Sequence, residues 1–151
     1  MPFADACVDV VICAQVYEPV PDDVHLFAEI YRVLRPGGVV FFSGPNWLFP
    51  VELHYNLPFL NWLPQAWANR LLQRLGLDDQ YYEKSRPIWG LRRLLARFEI
   101  YDATLDLMGS ETLIKTPWLR SLAGNLPQPV WRVLYPWLPN FNLILRKPGL
   151  N

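Results

Sequence analysis

His54, Tyr55 and the pair Tyr81-Tyr82 are the side chains with the chemistry to act on a small molecule, and they sit in or beside an aromatic, proline-rich stretch. An aromatic-lined cleft with a few polar groups is the usual form of a small-molecule pocket. An imidazole that titrates near neutrality can take a proton from a bound acceptor. The competing reading of His54 is a surface or structural histidine. Other chemistries are excluded by spacing. Cys7 and Cys13 lie on one extended segment, and six strand residues span roughly 20 Å, too far for a disulfide. Two cysteines and two well-separated histidines give no metal-ligand spacing. A formal net charge of zero leaves no electrostatic footprint for nucleic acid.

These side chains need a frame, and the stretch from Phe3 to Asn46 supplies it. Val8 to Ala14 and Val39 to Ser43 are near-continuous apolar runs, the pattern of parallel strands covered on both faces. Between them Leu26, Phe27, Ile30, Val33 and Leu34 recur at helical spacing. Pro19 and Pro21 hold the helix from starting earlier, Asp22 or Asp23 caps it, and Pro36 with Gly37-Gly38 ends it in a tight reversal. Strand, helix and strand form a βαβ unit, which in open parallel sheets places ligands at the carboxyl ends of the strands. Further along, Phe49 to Pro64 is too irregular for one helix. Gln65 to Leu75 is a predicted helix with Trp67, Leu71, Leu72 and Leu75 on one face and Gly76 at its end. Trp89 to Phe98 is a second, Glu99 to Leu107 a strand, and Trp118–Leu122 and Val130–Leu138 short aromatic helical pieces.

Two phrases in the βαβ unit carry a resemblance. Met1-Pro2-Phe3-Ala4-Asp5-Ala6-Cys7-Val8-Asp9-Val10-Val11 follows, with small departures, the Leu-Pro-Phe-x-Asp-x-Ser-Phe-Asp-Val-Val that opens the fourth strand of one family. Glu29-Ile30-Tyr31-Arg32-Val33-Leu34-Arg35-Pro36-Gly37-Gly38 matches a second phrase of that family in full. The segment resembles the second half of a class I S-adenosylmethionine-dependent methyltransferase of the broad small-molecule group called type 11. Leu91 to Ile100 and Asn140 to Pro148 agree more loosely, as the helix and strand after the substrate insert and as the final antiparallel strand. The resemblance implies an α/β fold: a partial Rossmann-like sheet of the last four strands, the final one antiparallel, with helices and an aromatic-rich insert. It divides the chain into a βαβ unit at 1–47, a substrate-lid insert at 48–88 and carboxyl-terminal helices and strands at 89–151.

The resemblance also assigns roles. The tip of the fourth strand borders the methionine end of the cofactor, which implies Cys13, Ala14, Gln15 and Val16 here. Glu18 stands where the family often has Glu followed by His, and Pro19 replaces that His, so an acid–base role attached to it is not carried over. Ser43 to Asn46 would border the acceptor, which adds Glu18 and Asn46 to His54 and Tyr55 as acceptor-side residues. The family's Gly-rich loop and the acidic residue of its second strand are not in this sequence. The expectation is therefore an amino-truncated domain (a gene fragment, a mis-called start codon or half of a split protein) that uses S-adenosylmethionine if the missing half is supplied.

Methyl transfer to a small-molecule or lipid-linked acceptor, impaired in the fragment, is the first reading. A second is a non-catalytic remnant or interaction module, homodimeric or paired with the missing half through Val8 to Ala14, since a long apolar unpaired edge invites docking. A third, a nucleotide-sugar enzyme, lacks the Tyr-x-x-x-Lys pair of the common dehydrogenases. No leader and no apolar run of membrane-spanning length is seen, which with the unpaired cysteines implies a cytoplasmic protein. Tryptophan and tyrosine near arginines in the last third offer a membrane-peripheral alternative, against the reading that they cover the outer sheet.

Overall fold

The computed structural model describes residues 1–108 and 127–149, so the predicted piece Trp118–Leu122 lies outside the described residues. Strand β1 (Val8–Ala14) leads through a loop to helix α1 (Asp23–Val33) and strand β2 (Leu34–Pro45). A small hairpin of β3 (Val51–Glu52) and β4 (Leu57–Pro58), a 3-10 turn at Leu60–Trp62 and helix α2 (Gln65–Leu75) make up the insert. Helix α3 (Ile88–Leu94), strand β5 (Glu99–Asp102), helix α4 (Thr104–Met108), helix α5 (Gln128–Leu134), a 3-10 turn at Tyr135–Trp137 and strand β6 (Asn140–Arg146) complete the described chain. The main sheet has the order β1-β2-β6-β5. β1 and β2 are parallel, and β6 runs antiparallel to both β2 and β5. This is the α/β sheet of four strands with a final antiparallel strand that the sequence implies. Among the described residues no helix is long and apolar enough to cross a membrane.

The local causes can be traced. The Asp22 carboxylate accepts from the His25 N–H at 2.8 Å and starts α1. The helix ends at Val33 because Leu34 is already extended, in line with the constraint that Pro36 places on the chain ahead of it. Pro36 and Gly37-Gly38 do not make the reversal expected of them. They form an irregularity inside β2, where the register jumps from Val8 opposite Leu34 to Val10 opposite Val39. Gly37 takes a φ of 80° there, open to glycine without steric cost. Arg32 pairs with Asp5 at 2.5 Å and Arg35 with Asp9 at 2.8 Å, so the two sequence phrases touch each other across the unit.

Phe27 and Ile30 of α1 and Leu91 and Leu95 of the α3 region pack on one face of the sheet, against Val40 and Phe42 of β2 and Phe141, Leu143 and Leu145 of β6. A separate small core of Leu60, Ala68, Leu72 and Tyr81 holds the insert. Three expectations are corrected. β1 lies at the sheet edge, in keeping with the unpaired edge expected of Val8 to Ala14, but it is not covered on both faces: Val10 is 59% and Ile12 74% exposed. On α2 the buried stripe is Ala68 and Leu72, while Trp67 and Leu75 face outward, because the small Ala68 lets the helix approach Leu60 and Tyr81. The strand from Glu99 stops at Asp102, whose carboxylate accepts from the Thr104 N–H at 3.1 Å and turns the chain into α4.

Gly44 lies where β2 passes Tyr17. A Cβ there would stand 2.5 Å from Tyr17 Cε1 and 2.9 Å from Phe42 Cζ, both on buried rings. Gly44→Ala is expected to cost about 2–3 kcal/mol, the upper part of the overpacking range, read as a lower urea midpoint at unchanged slope.

Candidate functional site

At the end of β1 the backbone turns sharply. Gln15 has a φ of 54°, a left-handed conformation that a non-glycine residue adopts only when its surroundings hold it there. Its N–H donates to the Ser43 carbonyl at 2.8 Å, and its side-chain amide donates to Asn140 Oδ1 at 2.9 Å. The turn drives Tyr17 and Glu18 into the interior, where Tyr17 is 1% and Glu18 0% exposed. Tyr17 is anchored at its hydroxyl, which donates to the Pro45 carbonyl and accepts from the Arg86 N–H.

Two other segments bring carboxylates to Glu18. The extended stretch 81–86 runs between the loops that follow β1 and β2. Lys84 N–H donates to the Glu18 carbonyl at 3.2 Å, and Asn46 and Arg86 form a parallel bridge. Tyr81 N–H donates to Asn69 Oδ1 and Gln65 Nε2 to the Tyr81 carbonyl, tying the stretch to α2. The β3–β4 hairpin supplies Glu52 and His54. Glu52 Oε2 accepts from the Tyr55 N–H at 2.7 Å, and its Oε1 lies 3.0 Å from His54 Nδ1. Glu83 Oε1 is 3.9 Å from the same nitrogen. Three carboxylates thus gather around one imidazole. Both Glu18 oxygens and Glu83 Oε2 are buried without a hydrogen-bond partner among the described residues, an expensive condition in a protein interior.

The electrostatics follow from that burial. Desolvation lifts the Glu18 carboxyl from 4.5 to about 7, helped by the charge of Glu83 and opposed by its own backbone N–H and by His54. Glu83 is raised by desolvation too, against the pull of His54. Burial alone would lower the His54 imidazole. The hydrogen bond to Glu52 and the charges of Glu83, Glu52 and Glu18 outweigh it, and His54 is raised. Burial, then the charge of Glu18, pushes the Cys13 thiol up to about 11, so it is a neutral group at neutral pH.

The residues singled out from the sequence fall into two groups. Glu18 and His54 come together in this cluster. Tyr55 adjoins it through its backbone, while its ring packs on Tyr81 and its hydroxyl donates to Asp78 at 2.9 Å. Asn46 is buried and fully engaged: its amide donates to the carbonyls of Pro136 and Leu138 at 2.7 and 2.8 Å and accepts from the Leu48 N–H. It holds the turn after β2. Cys13, Ala14, Gln15 and Val16 form the tip of β1 and the turn beyond it, with Cys13 buried and Val16 exposed. Glu52 and Glu83 were not singled out. The one sequence signal for Glu52 is its place two residues before His54, where the strand Val51–Glu52 enters the hairpin turn that carries the imidazole. Glu83 carries none, because its partners are distant in sequence. A cavity of about 200 Å³ opens beside the cluster, lined among others by Trp47, Asn61, Tyr81, Tyr82, Glu83 and Lys84.

Comparison with known proteins shows what the frame is similar to. Residues 1–42 match the family model described as methyltransferase domain. A Mycobacterium sp. (strain KMS) protein described as an uncharacterized methyltransferase is 46% identical over 54 residues, 36% of this chain and 21% of the relative. A Mycolicibacterium smegmatis protein described as a probable S-adenosylmethionine-dependent methyltransferase is 50% identical over 46 residues, 30% of this chain and 18% of the relative. The matched stretch is thus about a fifth of the length of these relatives. Among solved structures, a chain of the complex between the Haloferax volcanii Trm112 methyltransferase activator and its methyltransferase superposes with a TM-score of 0.52 at 16% identity, covering 100% of this chain and 58% of that one. A SAM-dependent methyltransferase from Methanosarcina mazei gives a TM-score of 0.52 at 14% identity, covering 99% of this chain and 64% of that one. At these identities the likeness is one of fold.

The cluster sets a pH dependence. Glu18 binds its proton more tightly folded than unfolded, so its contribution to stability falls as pH rises from 4.5 through about 7. The raised Glu83 and His54 act in the same direction. Thermal stability is expected to decline between pH 5 and pH 8. Glu18→Gln removes the buried charge, flattening that decline and raising stability at pH 8 by roughly 0.5–2.5 kcal/mol, the shift less the cost of an unpartnered amide. Melting curves of both proteins across this range check it.

Proposed function

We propose that this chain, whose amino-terminal βαβ unit belongs to the S-adenosylmethionine-dependent methyltransferase family, is the acceptor-side part of an enzyme that methylates a small-molecule or lipid-linked acceptor. The observation that carries the reading is the meeting of a family-matched strand tip with a buried, unpartnered acidic group four residues beyond it. In this reading the chain has three parts: a βαβ unit at 1–47, an acceptor-covering insert at 48–88, and carboxyl-terminal elements at 89–151.

S-adenosylmethionine, when bound, supplies an electrophilic methyl group on a sulfonium centre. Cys13, Ala14, Gln15 and Val16 would border it, and what they offer fits such a group. The Cys13 thiol is neutral, Ala14 is small, and the Glu18 carboxylate is close enough to raise the Cys13 value. A negative field at the strand tip favours a cationic donor over its neutral thioether product. Glu18, His54 and the backbone of Tyr55 form the acceptor side, with Asn46 setting the loop between them. Methyl transfer from a sulfonium depends chiefly on holding donor and acceptor in line, which a fixed strand tip facing a held insert provides.

A second reading rests on a different observation, the exposed Val10 and Ile12 on the edge strand β1. Here the chain is a non-catalytic module that pairs with a second copy of itself along that edge.

Titration with S-adenosylhomocysteine tests the first reading. A dissociation constant below about 100 μM, near −5.5 kcal/mol, is expected, with at least a tenfold loss in Ala14→Trp at unchanged fold. No binding by the folded chain rejects it. Sedimentation tests the second reading: a dimer at micromolar concentration that Ile12→Lys dissociates is expected, and a monodisperse monomer rejects it.

A further inference from the structure

We propose that the cluster of Glu18, Glu52 and Glu83 around His54 is a binding site for a protonated amine, carried by the acceptor that the preceding reading places there. The acidic cluster is one observation. The independent one is that Glu18 is completely buried and neither of its carboxylate oxygens has a hydrogen-bond partner among the described residues. Its carboxyl faces the cluster, since it feels the charges of Glu83 and His54 and His54 in turn feels its own. Backbone pairing of Lys84 with Glu18 fixes the two segments side by side.

The count of unsatisfied atoms selects the ligand. Glu18 Oε1, Glu18 Oε2 and Glu83 Oε2 are three buried acceptors without donors among the described residues. A primary ammonium carries three N–H donors and no acceptor, the complement of that set. A carboxylate or phosphate ligand would bring more acceptors and more negative charge, and is excluded. A metal ion fits poorly, because no three acidic, histidine or cysteine side chains among the described residues are arranged to hold one. Glu52 is committed to His54 and to the Tyr55 N–H, so it fixes the imidazole and adds charge.

Among the described residues, the lysine and arginine nearest the cluster do not fill the role. Arg86 is held by Asp23 at 2.5 and 2.9 Å. Lys84 lines the adjacent cavity but is exposed. Tyr81 and Trp47 wall that cavity, and aromatic faces beside carboxylates favour an organic cation over a hydrated inorganic one.

The test uses propylammonium chloride as probe, propanol as its uncharged match and sodium chloride as ionic control, followed by amide chemical shifts of the whole chain. Propylammonium at pH 8 is expected to give saturable shifts at residues 17–19, 52–55 and 81–85, with neither control doing so. The affinity is expected to fall at least tenfold in Glu18→Gln and in Glu83→Gln, each checked for a native-like spectrum. In the unmutated chain it should fall similarly at pH 5.5, where a proton occupies Glu18 and where Glu52, His54, Cys13, Tyr17, Tyr55 and Tyr81 are the other titratable groups facing Glu18 or Glu83. Absence of saturable shifts in the folded chain, equal shifts with propanol, or affinity unchanged by both substitutions overturns the proposal. Titration with S-adenosylhomocysteine separates it from the reading beneath it. Amine binding without nucleoside binding keeps the cation site and rejects methyl transfer, and the converse rejects the cation site alone. Loss of S-adenosylhomocysteine affinity in Glu83→Gln, with no amine binding, overturns the proposal and gives the cluster to the cofactor.

Discussion

Strand β2 is the constraint on which the other elements depend. It makes ladder hydrogen bonds on both sides, parallel to β1 and antiparallel to β6, and its Val40 and Phe42 lie at the centre of the main core. Its far end decides where everything functional sits. Ser43 receives the Gln15 N–H, Pro45 receives the Tyr17 hydroxyl, and Asn46 bridges to Arg86. One strand end therefore fixes the turn after β1 and the stretch 81–86 together, and Glu18 and Glu83 meet as a consequence.

Their meeting runs against the usual economy of a folded chain. Buried carboxylates are ordinarily paired or hydrogen-bonded, and the ion pairs Arg86–Asp23 and Arg32–Glu29 show that this chain builds such pairs elsewhere. Among the described residues Glu18 is left without one, while the packing beside it, Tyr17 against Phe42 with ring centroids 5.3 Å apart, is tight. Strongly perturbed groups of this kind gather at functional sites.

How much of this was legible in the sequence depends on the range of the interaction. β1, α1 and α2 were readable almost to the residue because their signals are local: an apolar run, an Asp cap, a glycine at the helix end. The family phrases were readable because their residues touch each other, Arg32 on Asp5 and Arg35 on Asp9. What was misread depends on distant partners. The covered face of α2 is chosen by Leu60 and Tyr81 rather than by the largest side chains, and the exposure of β1 is set by its place in the sheet order. The site divides in the same way. Glu18 and His54 could be named from motif and residue type, but Glu52 and Glu83 join them only through the hairpin and the tertiary pairing of Lys84 with Glu18.

The central claim is that Glu18 is a buried acid kept without a partner at the mouth of the strand tip. Its direct measurement is the carboxyl carbon chemical shift of Glu18 against pH in the intact chain. The account predicts a midpoint near 7, displaced when Glu83→Gln removes the neighbouring charge. A midpoint near the ordinary 4.5, unmoved by that substitution, would mean that Glu18 is solvated or paired, and would contradict the site as described.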